Sequence, residues 1–508
     1  VRVFLLGVDG ATYDLILPWA RQGKLPNLAT LLKNSYFGEL ASLPPITPAG
    51  WTSIITGVNC GKHGLADFLK LDLDSYQLHP TNSQDRKVRT IYNMLGEVGK
   101  KNIILNYPMT YPAEELNGSM VTGLQTPRID DRCSYPPELI QYLEQELGEV
   151  LFMANYRERQ SREDFLSDIK NLVKAREKMI LHFIKKQEFD FFATVFMATD
   201  IVSHAFWKYM DENHPGRKGI PPEELDRFNN AVLDVYIQVD TSIGKIIEAL
   251  QNKDTAIILV SDHGSGPLYK FVNLNKFLVE KGYMTLVQEK TDKGRLSGAI
   301  SRFVRSFLSN NPARNNEKQK KDIYFHDVDW DHTKAYSWGN LCSVSLNLRG
   351  REKSGIVRTE EAEALKKEIA AELMKLADSD GKRIVDAVGF REDVFTGTHT
   401  REMPDMYMVM RDISYVGRGI NPVYRDIPGR PLIEDADLSG THRVDGIYAI
   451  SDIVAKEKFV ARAGGLKLTG RGYKVYDVAP TILHLFGIEI PDYFDGRVMD
   501  EAFLNNIG

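Results

Sequence analysis

The chain has 508 residues, 43% of them hydrophobic and 26% charged, with a formal net charge of −5. These values suit a large globular chain and exclude a collagen-like or disordered one, and without a global basic field no stable nucleic acid partner is expected. Cys60, Cys133 and Cys342 are widely spaced with no CxxC, which excludes a cysteine zinc site and a disulfide framework and fits a cytoplasmic location.

In chain order, Val3–Val8 reads as a buried strand stopping at Asp9-Gly10. Leu25 to Lys33 reads as a helix with Pro26 at its start. Pro44, Pro45 and Pro48 mark a loop, and Trp51 to Thr56 resumes as a helix. Asp85 to Gly99 reads as an amphipathic helix, Asn102 to Leu105 as a strand, and Pro137 to Glu149 and Ser161 to Lys186 as helices. Phe191 to Met197 is a strand candidate. A long helix over Pro221 to Leu250 feeds a strand over Thr255 to Val260. Further on, strands at Ser343–Leu348 and Met406–Met410 flank a Thr359–Leu376 helix, and Asp477 to Leu485 closes as a helix. No apolar run reaches the ~18 residues of a membrane span, and the opening strand leaves no signal-peptide pattern. Strand–helix alternation predicts an α/β fold, with a mainly parallel central sheet and helices on both faces. The metal-binding core is placed in 1–68, 190–266 and 401–508. A first insertion, partly core and partly cap, covers 69–189. A second insertion or cap covers 267–400, with a mobile segment near 285–325 rich in Lys, Arg, Asn and Ser.

Acidic residues and histidines recur at the predicted strand ends and turns. Asp9 follows the first strand. Asp200 and His204 are spaced i, i+4, which puts both on one face of a helix. Asp262-His263 follows Ile257–Val260, either as a ligand pair or as a turn. His442 lies in Gly440-Thr441-His442-Arg443. Three carboxylates and three imidazoles without a thiolate suit zinc or manganese better than magnesium. A metal pair ~3.5–4 Å apart is a standard clamp for phosphoryl displacement. Thr47, in a Pro-bounded loop before a helix, is either an N-cap or a nucleophile whose hydroxyl a metal activates.

Together these residues resemble the alkaline phosphatase superfamily, type I phosphodiesterase/nucleotide pyrophosphatase branch, with the phosphohydrolase/phosphomutase group beside it. Leu5-Leu6-Gly7-Val8-Asp9-Gly10, Thr47 through Thr56-Gly57, Ser261-Asp262-His263-Gly264, Gly440-Thr441-His442 and Asp495-Gly496-Arg497 carry the likeness. The resemblance implies that Asp9, Thr47, Asp262 and His263 hold one divalent ion and that Asp200, His204 and His442 hold a second. Thr47 would be the nucleophile, and zinc, or manganese, the cofactor. The implied activity is cleavage of phosphate esters or diesters in a small phosphorylated substrate, nucleotides included, through a phospho-threonine. A phosphomutase is the alternative within the superfamily, and an inactive ligand-binding member the alternative of another class. Two positions depart from the diesterase pattern: Pro48-Ala49-Gly50 follows the nucleophile, and Phe68 stands where a substrate-contacting Asn is usual. His399 offers itself as the last ligand, but His442 fits the family context better. Trp51 reads as a core aromatic.

Overall fold

The computed structural model describes residues 1–154, 160–251, 253–287, 323–324, 327–340, 342–420, 431–452 and 472–503. Most of the segment expected to be mobile, 285–325, lies outside these residues. The chain divides into two units. The first comprises residues 1–65, 82–267 and 439–508, and the second residues 66–81 and 268–438. From sequence, 69–189 is expected partly in the core and 401–508 wholly in it. Residues 82–189 join the first unit, and 401–438 group with the second. The reason is sheet membership, since 102–107, 118–122 and 134–135 are strands of the first unit's main sheet, whereas 406–410 pairs with 343–346 and 385–390.

The first unit is built on a nine-stranded sheet. Its strands, with a two-stranded ribbon, are β1 (Arg2–Val8), β2 (Ser35–Ala41), β3 (Asn102–Tyr107), β4 (Gly118–Thr122), β5 (Ser134–Tyr135), β6 (Phe191–Phe196), β7 (Thr255–Val260), β8 (Gly264–Pro267), β9 (Gly440–Arg443), β10 (Asp445–Asp452) and β11 (Tyr473–Lys474). The sheet order is β11-β2-β10-β7-β1-β6-β3-β4-β5, and β7, β1, β6, β3 and β4 run parallel. Val3 to Val8 are all buried, as both-face coverage by helices requires. Burying each such large apolar side chain contributes ~1.5–3 kcal/mol. Among the described residues no helix is long and apolar enough to cross a membrane.

The helices of this unit are α1 (Tyr13–Arg21), α2 (Pro26–Lys33), α3 (Thr47–Thr56), α4 (Cys60–His63), α5 (Ile91–Glu97), α6 (Leu139–Leu147), α7 (Arg162–Lys186), α8 (Ala198–Met210), α9 (Pro222–Phe228), α10 (Ala231–Leu250) and α11 (Val478–Leu485). Three differ from expectation. The helix expected from Asp85 starts at Ile91, because Thr90 and Asn93 close a reciprocal capping box there. The long 221–250 helix is two helices broken at Asn229-Asn230, where asparagine side chains compete with helical bonding. The helix expected from Trp51 begins at Thr47, with Pro48 in its first turn, where a missing N–H costs nothing. At its other end, the Gly57 carbonyl accepts from the Asp495 and Gly496 N–H groups at 3.0 and 3.1 Å, and Lys62 pairs with Asp495 at 2.6 Å. The Asp495-Gly496 motif thus anchors the helix that carries Thr47.

Helix α7 buries a stripe of Phe165, Ile169, Leu172, Val173, Met179 and Phe183, with Arg176 in its middle at 2% exposure. None of the Arg176 guanidinium nitrogens has a hydrogen-bond partner among the described residues, and burial pulls its pKa down to about 9. An uncompensated buried cation opposes folding. Arg176→Met is expected to raise the unfolding free energy by ~1–4 kcal/mol, read from the urea midpoint at unchanged slope. An unchanged or lower midpoint would count against this reading.

The second unit contains a four-stranded sheet with strands Ala335–Tyr336, Ser343–Leu346, Met406–Met410 and Val385–Phe390, in that order. Its core includes Val272, Leu274, Leu278, Val344, Leu346 and Ile369.

Candidate metal centre

Strands β7, β1 and β6 are neighbours and parallel, so their carboxyl ends share one edge of the sheet. Ligands gather beyond such an edge. A carboxylate follows each strand closely there: Asp262 after β7, Asp9 after β1, and Asp200 in the first turn of α8 after β6. Asp9 N–H donates to the Phe196 carbonyl at 3.0 Å, tying two of these ends together. Gly10 turns the chain away at φ +64°, and a Cβ there would sit 2.9 Å from Asp200 Oδ1 and 2.7 Å from Ser265 Oγ. Only glycine suits that place.

His204 is one turn beyond Asp200 on α8, and its Nε2 lies 3.3 Å from Asp200 Oδ1. His442 comes from far along the chain. It reaches the site because β9 pairs antiparallel with β8, placing His442 opposite Ser265. His442 Nε2 lies 3.0 Å from His204 Nε2 and 3.7 Å from Asp200 Oδ1. On the other side, His263 Nε2 lies 3.2 Å from Asp262 Oδ2, 3.7 Å from Asp9 Oδ1 and 3.3 Å from Thr47 Oγ1. The structure therefore brings together all seven residues singled out from sequence. Two overlapping groups could hold a metal ion, Asp9-Asp262-His263 and Asp200-His263-His442, with His263 between them. Ligand atoms ~2.0–2.1 Å from a tetrahedral ion lie ~3.3 Å apart, close to these separations.

The surroundings fit such ions. Each histidine sets its Nδ1 against a backbone carbonyl: His204 on Gly440 at 2.7 Å, His442 on Pro45 at 2.8 Å and His263 on Gly264 at 3.0 Å. In the neutral imidazole, donation from Nδ1 to the carbonyl leaves Nε2 its lone pair, as a ligating imidazole needs. Among the described residues, Asp9 Oδ1, Asp200 Oδ1 and both Asp262 carboxylate oxygens are buried without a hydrogen-bond partner. Burial pushes Asp9 and Asp262 well above the usual carboxylate range, and the neighbouring carboxylates add to it. Burial acts the same way on Asp200, but His204 outweighs it and holds this carboxyl low. Burial opposes the charge on His204 too, yet Asp200 brings that imidazole up to about 9. Burial pulls His263 down to about 4 and His442 well below its ordinary value. Three dry carboxylates facing one another call for positive charge, which divalent ions supply.

Thr47 is not an N-cap. Ile46 holds that position in extended geometry, without a side-chain cap bond, and Thr47 is the first helical residue. Several supporting groups were not legible in the sequence. Trp51 Nε1 donates to Asp9 Oδ2 at 2.7 Å. Thr199 Oγ1 donates to the Asp9 carbonyl at 2.6 Å, and Ser265 Oγ to the Gly10 carbonyl at 2.6 Å. His214, which carries no motif, faces the Ser439 carbonyl at 3.0 Å, and Ser439 N–H donates to the His204 carbonyl. Only Trp51 carries a signal, as it lies four residues after Thr47 and shares its helical face. His63 is buried, 3.0 Å from Ser53 Oγ. It accepts the Leu65 N–H, and burial with Arg86 nearby takes it down to about 3, so it packs as a neutral imidazole. His399 pairs with Glu402 at 3.1 Å in the second unit, and Phe68 also belongs to that unit.

Residues 3–445 match the family model of type I phosphodiesterase / nucleotide pyrophosphatase. No curated protein matches the chain. Among solved structures, the phosphonoacetate hydrolase of Sinorhizobium meliloti 1021 in complex with phosphonoformate is similar at 13% identity and TM-score 0.54, over 94% of each chain. Human ectonucleotide pyrophosphatase / phosphodiesterase 5 is similar at 13% identity and TM-score 0.51, over 100% of each. Its murine counterpart, inactive and in complex with AMP, is similar at 11% identity and TM-score 0.50, over 96% of each. At these identities the structural likeness speaks for the fold, and the family match covers most of the sequence. The chain belongs to the type I phosphodiesterase/nucleotide pyrophosphatase family, phosphoric ester hydrolases.

Proposed function

We propose that this protein cleaves phosphate esters or diesters, nucleotide esters among them, through a covalent phospho-threonine on Thr47. One observation carries the reading: three buried carboxylates and three Nδ1-anchored histidines converge near Thr47 at one sheet edge, with four carboxylate oxygens unpartnered among the described residues. Asp9, Thr47, Asp262 and His263 would hold one divalent ion, and Asp200, His204 and His442 another, with zinc or manganese suited to the donor set. Such ions, when bound, lower the pKa of a coordinated hydroxyl or water and neutralise charge on the phosphoryl oxygens.

The chain's own residues do the rest. Thr47 sits at the N-terminus of α3, where the helix dipole favours a phosphoryl group. Its Oγ1 attacks phosphorus in line. The ester P–O bond breaks as the Thr47 hydroxyl gives up its proton, and the alcohol or nucleotide leaves with the electron pair and takes up a proton in balance. Water then attacks the phosphorus of phospho-threonine, the P–Oγ1 bond breaks, and the Thr47 hydroxyl is restored with release of the phosphate product. The family model supports the diester reading, and the AMP complex of the murine relative supports a nucleotide substrate.

The test is a side-by-side screen of p-nitrophenyl phosphate and bis-p-nitrophenyl phosphate with zinc and manganese added in turn. Turnover of neither, in a protein that binds neither metal, would remove the hydrolase reading. His442→Ala is expected to lower the metal content from two ions toward one per chain by mass spectrometry of inductively coupled plasma. An unchanged two-ion content would take His442 out of the ligand set.

A further inference from the structure

Residues 47, 50 and 51 share one face of α3, spaced i, i+3 and i+4. Each meets a different residue of the first ion's set. Thr47 Oγ1 lies 3.3 Å from His263 Nε2. At Gly50 the helix backbone is pressed so close to Asp262 that a Cβ would lie 2.7 Å from the Asp262 Cβ and 2.8 Å from its carbonyl oxygen. Trp51 Nε1 donates to Asp9 Oδ2 at 2.7 Å, leaving Oδ1, buried and without a hydrogen-bond partner among the described residues, 3.7 Å from His263 Nε2.

The indole is itself held. Trp51 is 0% exposed, and Tyr107 packs edge-on against it at 5.3 Å and donates its hydroxyl to the Trp51 carbonyl at 3.0 Å. The ring also rests on Gly7, where a Cβ would lie 2.4 Å from Trp51 Cη2. A free carboxylate can turn either oxygen, or both, toward an ion. A rigid N–H bonded to one oxygen removes that choice.

We propose that Trp51 is a positioning residue that fixes Asp9 with Oδ1 facing the first ion, so that the nucleophile's helix also orients that ion's ligands. The inference rests on the metal-site reading given above. Groups that orient metal ligands typically matter by 10–100-fold in metal affinity.

The test is zinc titration against a chromophoric chelator in two backgrounds. His442→Ala leaves the Asp9-Asp262-His263 set, and Asp262→Ala leaves the Asp200-His204-His442 set. Trp51→Phe, which keeps an aromatic ring and loses the N–H, should weaken zinc about 10–100-fold in the first background and leave the second within about twofold. Where circular dichroism shows that Trp51→Phe does not fold, β-(3-benzothienyl)alanine at position 51 replaces the N–H with sulfur at the same shape, and the same split is expected. Equal weakening in both backgrounds, or none in the first, overturns the proposal. A parent protein that binds no zinc overturns the metal-site reading and this proposal with it. A parent that binds two ions, with the Trp51 variants unchanged, overturns this proposal alone.

Discussion

Thr47→Ala is expected to lower kcat by about 10³- to 10⁶-fold while the protein keeps its metal. The loss corresponds to ~4–8 kcal/mol of transition-state stabilisation. Its size follows from the proposed role, in which the Thr47 hydroxyl at the start of α3 forms and breaks the bond to phosphorus. Metal retention follows from the geometry, because Asp9, Asp262 and His263 still surround the first ion's place without Thr47. A three-ligand protein site with an open position is an ordinary catalytic arrangement. Thr47→Ser keeps a hydroxyl and should keep measurable turnover. The checks are kcat on both nitrophenyl esters and metal content on the same samples. Turnover in Thr47→Ala within about tenfold of the parent would remove Thr47 as nucleophile.

Asp405→Ala is expected to destabilise the second unit by ~3–5 kcal/mol. Asp405 lies just before the strand Met406–Met410, and its side chain is 2% exposed. Arg351 binds it through two nitrogens at 3.0 and 2.7 Å, Arg391 adds a contact at 3.0 Å, and Leu346 N–H donates to it at 2.7 Å. Arg351 also pairs with Glu352 at 2.8 Å, and the Tyr336 hydroxyl donates to Glu352 at 2.9 Å. Burial opposes the Arg351 charge, but Asp405 more than compensates and holds the guanidinium pKa above its ordinary value. Removing Asp405 leaves a guanidinium, only 5% exposed, with one acid where it had two. The measurement is equilibrium unfolding with hydrogen exchange at the strands of this unit. A loss below ~1 kcal/mol, the worth of an exposed pair, would show the network to be solvated. The double change Arg351→Met with Asp405→Leu should cost less than Asp405→Ala alone, because no charge is left behind.

Much of the fold was legible because buried strands announce themselves. Val3–Val8, Phe191–Phe196 and Thr255–Val260 are short apolar runs, and all three are central parallel strands. Less legible were β10, which pairs antiparallel with β7, and β2, which pairs antiparallel with β10. Residues 69–189 read as an insertion, partly core and partly cap, because the pairing partners of β3, β4 and β5 cannot be counted along one sequence. Helix ends were legible only where capping chemistry is local. Thr90 with Asn93 sets one such start, which a reading by periodicity alone places too early.

By itself the sequence determined which side chains are available: three aspartates and three histidines at the ends of apolar runs, without thiolates, and a threonine ahead of a helix. Ligand type narrows the metal, and strand-end position follows from local hydrophobic pattern. Tertiary structure alone decided that these groups meet. The order β7-β1-β6 makes neighbours of Asp262, Asp9 and Asp200, which are as much as 253 residues apart, and the β8–β9 pairing delivers His442. It also decided that Trp51, an ordinary core aromatic in the sequence, turns its one polar atom to Asp9. A buried N–H takes whatever acceptor the packing presents, and long-range packing leaves no local trace in the chain.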